Sequence, residues 1–267
     1  MERAVVADPP PPLAELLRGG RGGEVRLKLL LSMLWLVRED PAPVLASPAR
    51  SWATLLGLPD PEGKGARRVN DAIAWLEVQG YLVAEQDPAK VQRLITLKNE
   101  TGSGEDWSQP GKVIRQLEPG DPARSDHMYV QLPPSLWTSG WITILSGASI
   151  AMLLLLYRQL AGADPDKTAL WFSPEDAKIR FALSNDTRSK GLQELTMAGI
   201  ISMERRSVNP HSFDYERVRN VYRLNPDKLK EPAEFPKDYI KGWEGILAAA
   251  VPDGGGTRYQ QPKPNTA

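Results

Sequence analysis

The sequence predicts an α+β protein, mostly helical, with two similar blocks at residues 25–98 and 128–230. The composition is globular, since 41% of the residues are hydrophobic and 25% are charged. Each block opens with a long apolar helix, continues with two further helical segments and closes with two short strand-like segments. A length of 267 residues is sufficient for two domains of ordinary size.

Composition also excludes several classes of function. Lys and Arg together number 33, as do Asp and Glu, so a histone-like or ribosomal-type polycation is excluded for the chain as a whole. The absence of cysteine excludes disulfides, thiolate catalysis, zinc–thiolate sites and iron–sulfur clusters. Only two histidines are present, His127 and His211, which nearly excludes a multi-histidine metal site. We therefore expect neither a metal nor a cofactor.

The hydropathy pattern predicts a cytoplasmic protein without a membrane segment. The N-terminal sequence lacks the basic and apolar regions of a signal peptide. The most apolar stretch, residues 142–157, is interrupted by Ser146, Gly147 and Ser149, and a spanning helix needs about 20 apolar residues. This stretch is therefore expected to be a buried core helix.

Four segments outside the blocks are predicted from their composition. Residues 1–24 carry a proline run and a Gly-Gly-Arg-Gly-Gly cluster and are expected to be a flexible arm with a short helix at Leu13–Arg18. Residues 99–127 are expected to be a linker. Residues 231–251 are expected to form a helical extension, and residues 252–267 a disordered tail.

Charge is distributed unevenly between these parts. The first block has 10 basic and 8 acidic residues, and the second block has 13 basic and 10 acidic residues. The linker has 3 basic and 6 acidic residues. Both blocks are thus mildly basic and the linker is acidic, a weak indication by itself of an anionic partner for the blocks.

In the first block the pattern predicts three helices and a hairpin. The first helix covers Val25–Glu39, the second starts at Ser47-Pro48, and the third covers Ala66–Gln79. A serine N-cap followed by proline at the first helical position is a helix-start signal. Strands are predicted at Tyr81–Glu85 and Val91–Leu97.

The second block repeats this order. Its helices are predicted at Ala148–Ala161, from Ser173-Pro174, and at Asp186–Ala198. Its strands are predicted at Ile200–Arg205 and Val218–Leu224. The first block differs by a longer turn between its second and third helices, which contains residues 59–65.

The third helices end alike in the two blocks. Leu76-x-x-x-Gly80-Tyr81-Leu82 matches Leu195-x-x-x-Gly199-Ile200-Ile201, and glycine there can take the left-handed conformation that turns a helix into a strand. The run from Leu183 to Ile201 is similar to a helix-turn-helix signature of bacterial regulators. The chain therefore resembles tandem winged-helix proteins, among them regulators and plasmid or phage replication initiators. This resemblance implies two winged-helix domains, each a helix-turn-helix plus a β-hairpin (the wing), joined by the linker.

The resemblance also implies that each third helix enters the major groove of double-stranded DNA. In the second block the polar residues at the start of this helix become candidate DNA contacts. Arg188 is the best single candidate for base recognition, because arginine can bind guanine in a bidentate manner. The alternative is an ordinary solvated helix face. The candidates on this helix are Asn185, Thr187, Arg188, Ser189, Lys190 and Gln193.

The first block and the two hairpins supply the other candidates. Arg67 and Arg68 lie where cations oppose the helix dipole, so a phosphate partner would relieve their repulsion. Arginines of the second hairpin can follow the DNA backbone or enter a narrow minor groove, or else form cross-strand ion pairs. These candidates are Lys64, Arg67, Arg68, Asn70, Lys90, Arg93, Arg205, Arg206, Arg217 and Arg219.

Enzymatic activity is not expected, because phosphate-binding, dinucleotide-binding and nucleophile-elbow motifs are all missing. No small-molecule substrate is therefore predicted. The eight tryptophans suggest base stacking on single-stranded DNA, but core packing is the favoured role. Trp137 and Trp141, spaced four residues apart, predict one short amphipathic helix.

The predicted function is sequence-specific binding of double-stranded DNA, by a transcription regulator or an origin-binding protein of a bacterial mobile element. One alternative is a plasmid or phage replication initiator proper. Another is a tandem winged-helix scaffold that binds protein without DNA affinity. The apolar stripe within Lys237–Val251 packs on the same chain or on a second copy, and a homodimer would match a palindromic site.

Overall fold

The computed structural model describes residues 10–37, 43–90, 92–172, 178, 181–207 and 218–234. The chain divides into two units, residues 1–234 and 235–267, and the described residues all belong to the first. Several predicted features lie outside the described residues: the helix start at Ser173-Pro174, the second hairpin tip with His211 and Arg217, and the chain beyond residue 234. The described part is α+β, with helices and two small antiparallel sheets.

The N-terminal region is helical from residue 12. Helix α1 covers Pro12–Leu17 and helix α2 covers Arg21–Leu36. The segment 1–24, which is expected to be a flexible arm, therefore contains more helix than predicted. Helix α1 matches the short helix predicted at Leu13–Arg18 to within one residue, whereas α2 begins at Arg21, four residues before the predicted start at Val25. Leu16 is buried, and a Cβ on Gly23 would lie 2.3 Å from the Leu17 carbonyl oxygen. The glycine cluster thus allows α1 and α2 to pack closely.

The first block continues with strand β1 (Leu45–Ser47), helix α3 (Ala49–Leu55) and helix α4 (Lys64–Val78). Strands β2 (Leu82–Gln86) and β3 (Arg93–Leu97) form the hairpin. The sheet order is β1-β3-β2, and all pairs are antiparallel. The predicted serine N-cap is wrong by one residue, because Ser47 pairs in β1 and Pro48 occupies the N-cap of α3 without a side-chain hydrogen bond.

The segment between the blocks contains regular structure where a linker was expected. Helix α5 covers Pro110–Gln116 and a 3₁₀ turn covers Pro122–His127. Helices α6 (Ser135–Thr138) and α7 (Trp141–Ile144) follow. The single helix predicted for the two tryptophans is wrong: Gly140, with φ of 87°, separates α6 from α7.

The second block contains helix α8 (Gly147–Leu160), helix α9 (Asn185–Met197) and strands β4 (Ile201–Ser207) and β5 (Val218–Leu224). The two strands pair antiparallel. Leu170 makes a single antiparallel bridge to Tyr222 on the other side of β5. Both third helices and the β5 strand lie within two residues of the bounds predicted from sequence.

The ends of the two third helices have the same backbone geometry, as the matching sequences predict. Gly80 and Gly199 have φ of 77° and 72°. The amide that follows each glycine donates to the leucine carbonyl five residues earlier, Tyr81 to Leu76 at 2.9 Å and Ile200 to Leu195 at 3.0 Å.

The strand pairings match as well. β1 meets β3 at the pair Leu45–Ile95, and the isolated bridge meets β5 at the pair Leu170–Tyr222. The hairpins start equivalently, with Leu82 opposite Leu97 and Ile201 opposite Leu224. Residues in the third helix and first hairpin strand of the two blocks therefore correspond at an offset of 119.

The two blocks pack directly against each other along α2, in addition to being joined by the connecting segment. The rings of Trp35 and Trp137 stack with centroids 4.9 Å apart and planes 3° apart. The Trp137 indole nitrogen donates to the Ser32 hydroxyl at 3.0 Å.

A buried charge lies at the same contact. Lys28 is 2% exposed, binds the Glu24 carboxylate at 2.9 Å and donates to the Thr143 carbonyl at 3.5 Å. A buried lysine requires such partners, because an unpaired charge away from water is costly. We call this contact the seam; it is formed by Glu24, Lys28, Ser32 and Trp35 against Trp137, Thr143 and Gly147.

In the part of the chain that the structure describes, no helix has both the length and the apolarity to cross a membrane.

Candidate nucleic-acid interface

Helix α9 begins with a hydroxyl cap. Ser184 is the N-cap residue, and its side chain accepts a hydrogen bond from the Thr187 backbone nitrogen at 3.1 Å. Leu192 and Leu195 face the core. A Cβ on Gly191 would lie 2.4 Å from the Ala148 carbonyl oxygen, so glycine is required for α9 to approach α8 this closely.

A buried carboxylate fixes α9 on the start of α8. Glu194 is 7% exposed and accepts from the Ser146 backbone nitrogen at 2.8 Å. It also accepts from the hydroxyls of Ser146 at 2.5 Å and Ser149 at 2.6 Å. A carboxylate is favourable at a helix N-terminus because of the helix dipole and the free N–H groups there. The outer face of α9 is consequently held on a rigid support.

That outer face is polar. Asn185, Ser189 and Gln193 are exposed and follow one another at helical spacing. Lys190 is also exposed and pairs with Asp186 at 2.9 Å. Thr187, by contrast, is half-buried and close to Ser184, with 2.9 Å between the two hydroxyl oxygens.

Arg188 lies at the border of this face. It is half-buried, and its Nε atom is enclosed with no hydrogen-bond partner among the described residues. In the first block the equivalent position is Val69, which is fully buried. Arg188 therefore belongs partly to the inner side of the helix, where it borders a groove of about 390 Å³ between α9 and the β4–β5 hairpin. The groove is lined by Arg188, Ser189, Leu192, Gln193, Thr196, Met197, Met203, Asn220 and Tyr222.

The two faces of the β4–β5 hairpin separate the predicted arginines. Met203 and Asn220 line the groove, and Arg205 is paired with Asn220 in the register, so exposed Arg205 lies on the same face. Arg206 and Arg219 are paired with each other and lie on the opposite face.

The arginines on that opposite face already have partners. Arg206 binds Glu204 at 2.8 Å. The Arg219 guanidinium lies over the Trp171 ring, 4.8 Å from its centroid. Arg223 donates to the Asp166 carbonyl at 2.6 Å. These side chains have structural roles, whereas Arg205 is the hairpin arginine beside α9.

In the first block, α4 presents Lys64, Arg67 and Asn70 as exposed residues. Arg68 instead donates to the Arg21 carbonyl at 3.1 Å and so joins α4 to α2. The N-terminus of α4 is capped by a carboxylate, since the Lys64 backbone nitrogen donates to Asp60 at 2.9 Å.

The first hairpin contributes little positive charge to this surface. Lys90 is exposed at the β2–β3 tip. Arg93 pairs with Glu77 at 3.8 Å. Arg93 is thus already paired with an acidic group of the same block.

The charge balance separates the two surfaces. Residues 60–97 contain five basic and six acidic residues. Residues 184–224 contain seven basic and five acidic residues, and one of those acids is buried Glu194. The electrostatic potential around the second block is therefore more favourable for the negatively charged DNA backbone.

The tryptophans of the described residues mostly pack internally. Trp52 is 2% exposed, and Trp141 is fully buried and donates to the Glu231 carbonyl at 3.1 Å. Trp171 is 44% exposed.

The sequence pattern does not predict the buried carboxylate of Glu194 or the groove between α9 and the hairpin. The exchange of Glu77 for Thr196 at equivalent positions is the signal that could have indicated the groove.

Within the described ranges, no group of three or more His, Asp or Glu side chains is arranged to hold a metal ion. Comparison of the chain with protein-family models, curated proteins and solved structures gives no match.

Proposed function

We propose that this protein binds double-stranded DNA in a sequence-specific manner, as a regulator or an origin-binding protein, through α9 of a winged-helix domain. The observation that carries the proposal is the exposed polar face of α9, formed by Asn185, Ser189 and Gln193 and supported from beneath by buried Glu194. Amide side chains at such positions can bind adenine edges in the major groove.

The winged-helix assignment is supported by the order of elements in each block. In the first block, α2, β1, α3 and α4 are followed by a hairpin whose second strand, β3, lies between β1 and β2. In the second block, α8, the bridge residue Leu170 and α9 are followed by a two-stranded hairpin, and Leu170 lies on the other side of β5. The second hairpin places Arg205 beside α9, where it is suited to contact the phosphate backbone. Lys190 and Arg188 add positive charge along the same edge of the helix.

Fluorescence anisotropy with a pool of labelled duplexes at two salt concentrations tests the proposal. We expect affinity to fall steeply with salt and some duplexes to bind well above the pool. For a preferred duplex, N185A/Q193A should reduce affinity about tenfold or more, because each good base contact contributes about 1–3 kcal/mol. Its affinity for a random duplex should change little.

The matched control is Gln116→Ala, which removes an exposed amide from α5 in the connecting segment. It should leave both affinities unchanged. Absence of binding at low salt would overturn the proposal. The protein-binding scaffold would then be the better hypothesis, and Val78 on α4, which is 78% exposed, marks where to search for a partner.

A further inference from the structure

The groove between α9 and the β4–β5 hairpin has a filled counterpart in the first block. There, Glu77 of α4 reaches across to the hairpin and accepts from the Ala84 backbone nitrogen at 2.9 Å. The same carboxylate pairs with Arg93 at 3.8 Å. The protein's own acid thus occupies the space between third helix and hairpin in the first block.

In the second block the acid is replaced by a short side chain. The residue equivalent to Glu77 is Thr196, whose hydroxyl donates back to the Leu192 carbonyl at 2.8 Å. Ala84 and Arg93 correspond to Met203 and Asn220, and both of these line the groove. The groove of about 390 Å³ therefore lies where the first block holds a carboxylate.

The donors for a carboxylate remain in place. Tyr222 exchanges both backbone hydrogen bonds with Leu170, at 2.7 and 2.8 Å. Met203, directly opposite Tyr222, is consequently in a non-hydrogen-bonded pair, and its N–H points to the outer edge of β4, as the Ala84 N–H does in β2. Arg188 lines the same groove, so its positively charged guanidinium supplies a second group that favours a carboxylate there.

We propose that this groove binds a small organic acid with an apolar body. Its carboxylate takes the place that Glu77 takes in the first block, between the Met203 N–H and the Arg188 guanidinium. Its apolar body lies against Leu192, Met197 and Met203. An open groove of this volume, lined by both apolar and polar side chains, is large enough to hold a small molecule. The groove shares Arg188, Ser189 and Gln193 with the proposed DNA-binding surface, but binding of an acid does not require that the protein binds DNA.

Methyl NMR of protein labelled at methionine provides the test, with no DNA present. The probes are benzoate, phenylacetate and hexanoate, each compared with its neutral amide. We expect saturable shifts of the Met197 and Met203 methyl signals with at least one acid, and about tenfold weaker binding of the matching amide, because hydrogen bonds to a charged acceptor are stronger. Arg188→Gln should weaken acid binding to a similar extent.

An internal acid should close the groove. Thr196→Glu should abolish binding of the acids and raise the melting temperature above that of Thr196→Gln, since only the former recreates the carboxylate of Glu77. Gln116→Glu, which adds the same charge to α5 away from the groove, should leave acid binding within about twofold.

Three results would overturn the proposal: no acid binds at millimolar concentration, acids and amides bind equally, or Arg188→Gln has no effect. A fourth would reassign the occupant. If a short glutamate-containing peptide binds more tightly than every small acid, the groove accepts an acidic protein segment and not a small molecule.

Discussion

Helices α4 and α9 share a backbone plan but present different surfaces. Both end in a left-handed glycine, followed by a buried residue whose amide bonds five residues back, Tyr81 in one and Ile200 in the other. Around α4 the charges nearly cancel, and the space toward the hairpin is closed by Glu77. Around α9 positive charge prevails, and the same space is open.

The difference shows that one arrangement of helices and strands can present two different surfaces. Buried positions such as Leu76 and Leu195 maintain the plan. Side chains that face the hairpin or solvent decide what the surface can bind. In the first block these side chains mostly satisfy one another, whereas in the second block several are left available to a partner. Both blocks are held in one arrangement by the seam.

The largest effect is expected from breaking the seam, which joins the two blocks. Trp137→Ala removes the ring stacked on Trp35 and the donor to Ser32. We expect the free energy of unfolding to fall by about 3–5 kcal/mol in urea titration. Trp171→Ala, at a 44% exposed position, should cost about 1 kcal/mol or less. Equal losses in the two variants would contradict the packing described for the seam.

A smaller effect is expected from the support beneath α9. Glu194→Gln exchanges a carboxylate that accepts from three groups for an amide with one acceptor oxygen. The free energy of unfolding should fall by about 1–3 kcal/mol, because buried donors of Ser146 and Ser149 lose their acceptor. Glu204→Gln, at an exposed ion pair of the hairpin, should cost less than about 1 kcal/mol. A stable Glu194→Gln variant would show that the carboxylate is dispensable. Both are measured by chemical denaturation.

The closed groove of the first block can be opened. Glu77→Thr should reduce the free energy of unfolding by about 1–2 kcal/mol, because the Ala84 N–H loses its acceptor. Glu77→Gln, which retains length and an acceptor oxygen, should lose less. If thermal unfolding shows no difference among the wild type and the two variants, Glu77 does not close the groove in solution.

The smallest effect concerns Tyr81, whose counterpart Ile200 has no titratable group. Burial, with a minor contribution from the negative charge of Glu15, raises the pKa of Tyr81 to about 12. Its neutral form is therefore favoured by folding. The associated stability is present below pH about 10 and is lost as the pH rises through the folded pKa.

Tyr81→Phe removes this pH dependence. Between pH 7 and pH 11 the variant should lose less unfolding free energy than the wild type, as measured by urea titration at each pH. At pH 7 it should be about as stable as the wild type, because the Tyr81 hydroxyl has no hydrogen-bond partner among the described residues. An identical pH dependence in both proteins would contradict a buried neutral phenol.

Much of the local structure could be predicted from sequence. Apolar spacing and the glycine turns locate α4, α9 and the hairpins to within two residues, because these signals are local. Strand β1 was missed, since three half-buried residues carry no periodic signal. Trp137 and Trp141 fit one helical period, and only the left-handed Gly140 shows that the chain breaks between them.

The tertiary features were less accessible. Lys28 has the sequence properties of a surface residue, and its burial depends on Thr143, more than a hundred residues away. The groove depends on which side chain of α9 faces β4. Arg188 was expected to be exposed, and its partial burial follows from its position one helical turn before Leu192. The burial of these side chains and the shape of the groove depend on how segments distant in sequence pack together, so local sequence patterns do not predict them.

Binding of DNA through the second block is tested by reversing charge on one third helix at a time. The pairs are R188E/K190E on α9 and K64E/R67E on α4, with Arg115→Glu in α5 as the control, each measured by anisotropy against a preferred duplex over a range of salt. We predict that the α9 pair reduces affinity at least about tenfold and lowers the salt slope by about 2, whereas the α4 pair reduces affinity by only about twofold to threefold. A larger loss for the α4 pair, or no loss for the α9 pair, would contradict the assignment of DNA binding to the second block.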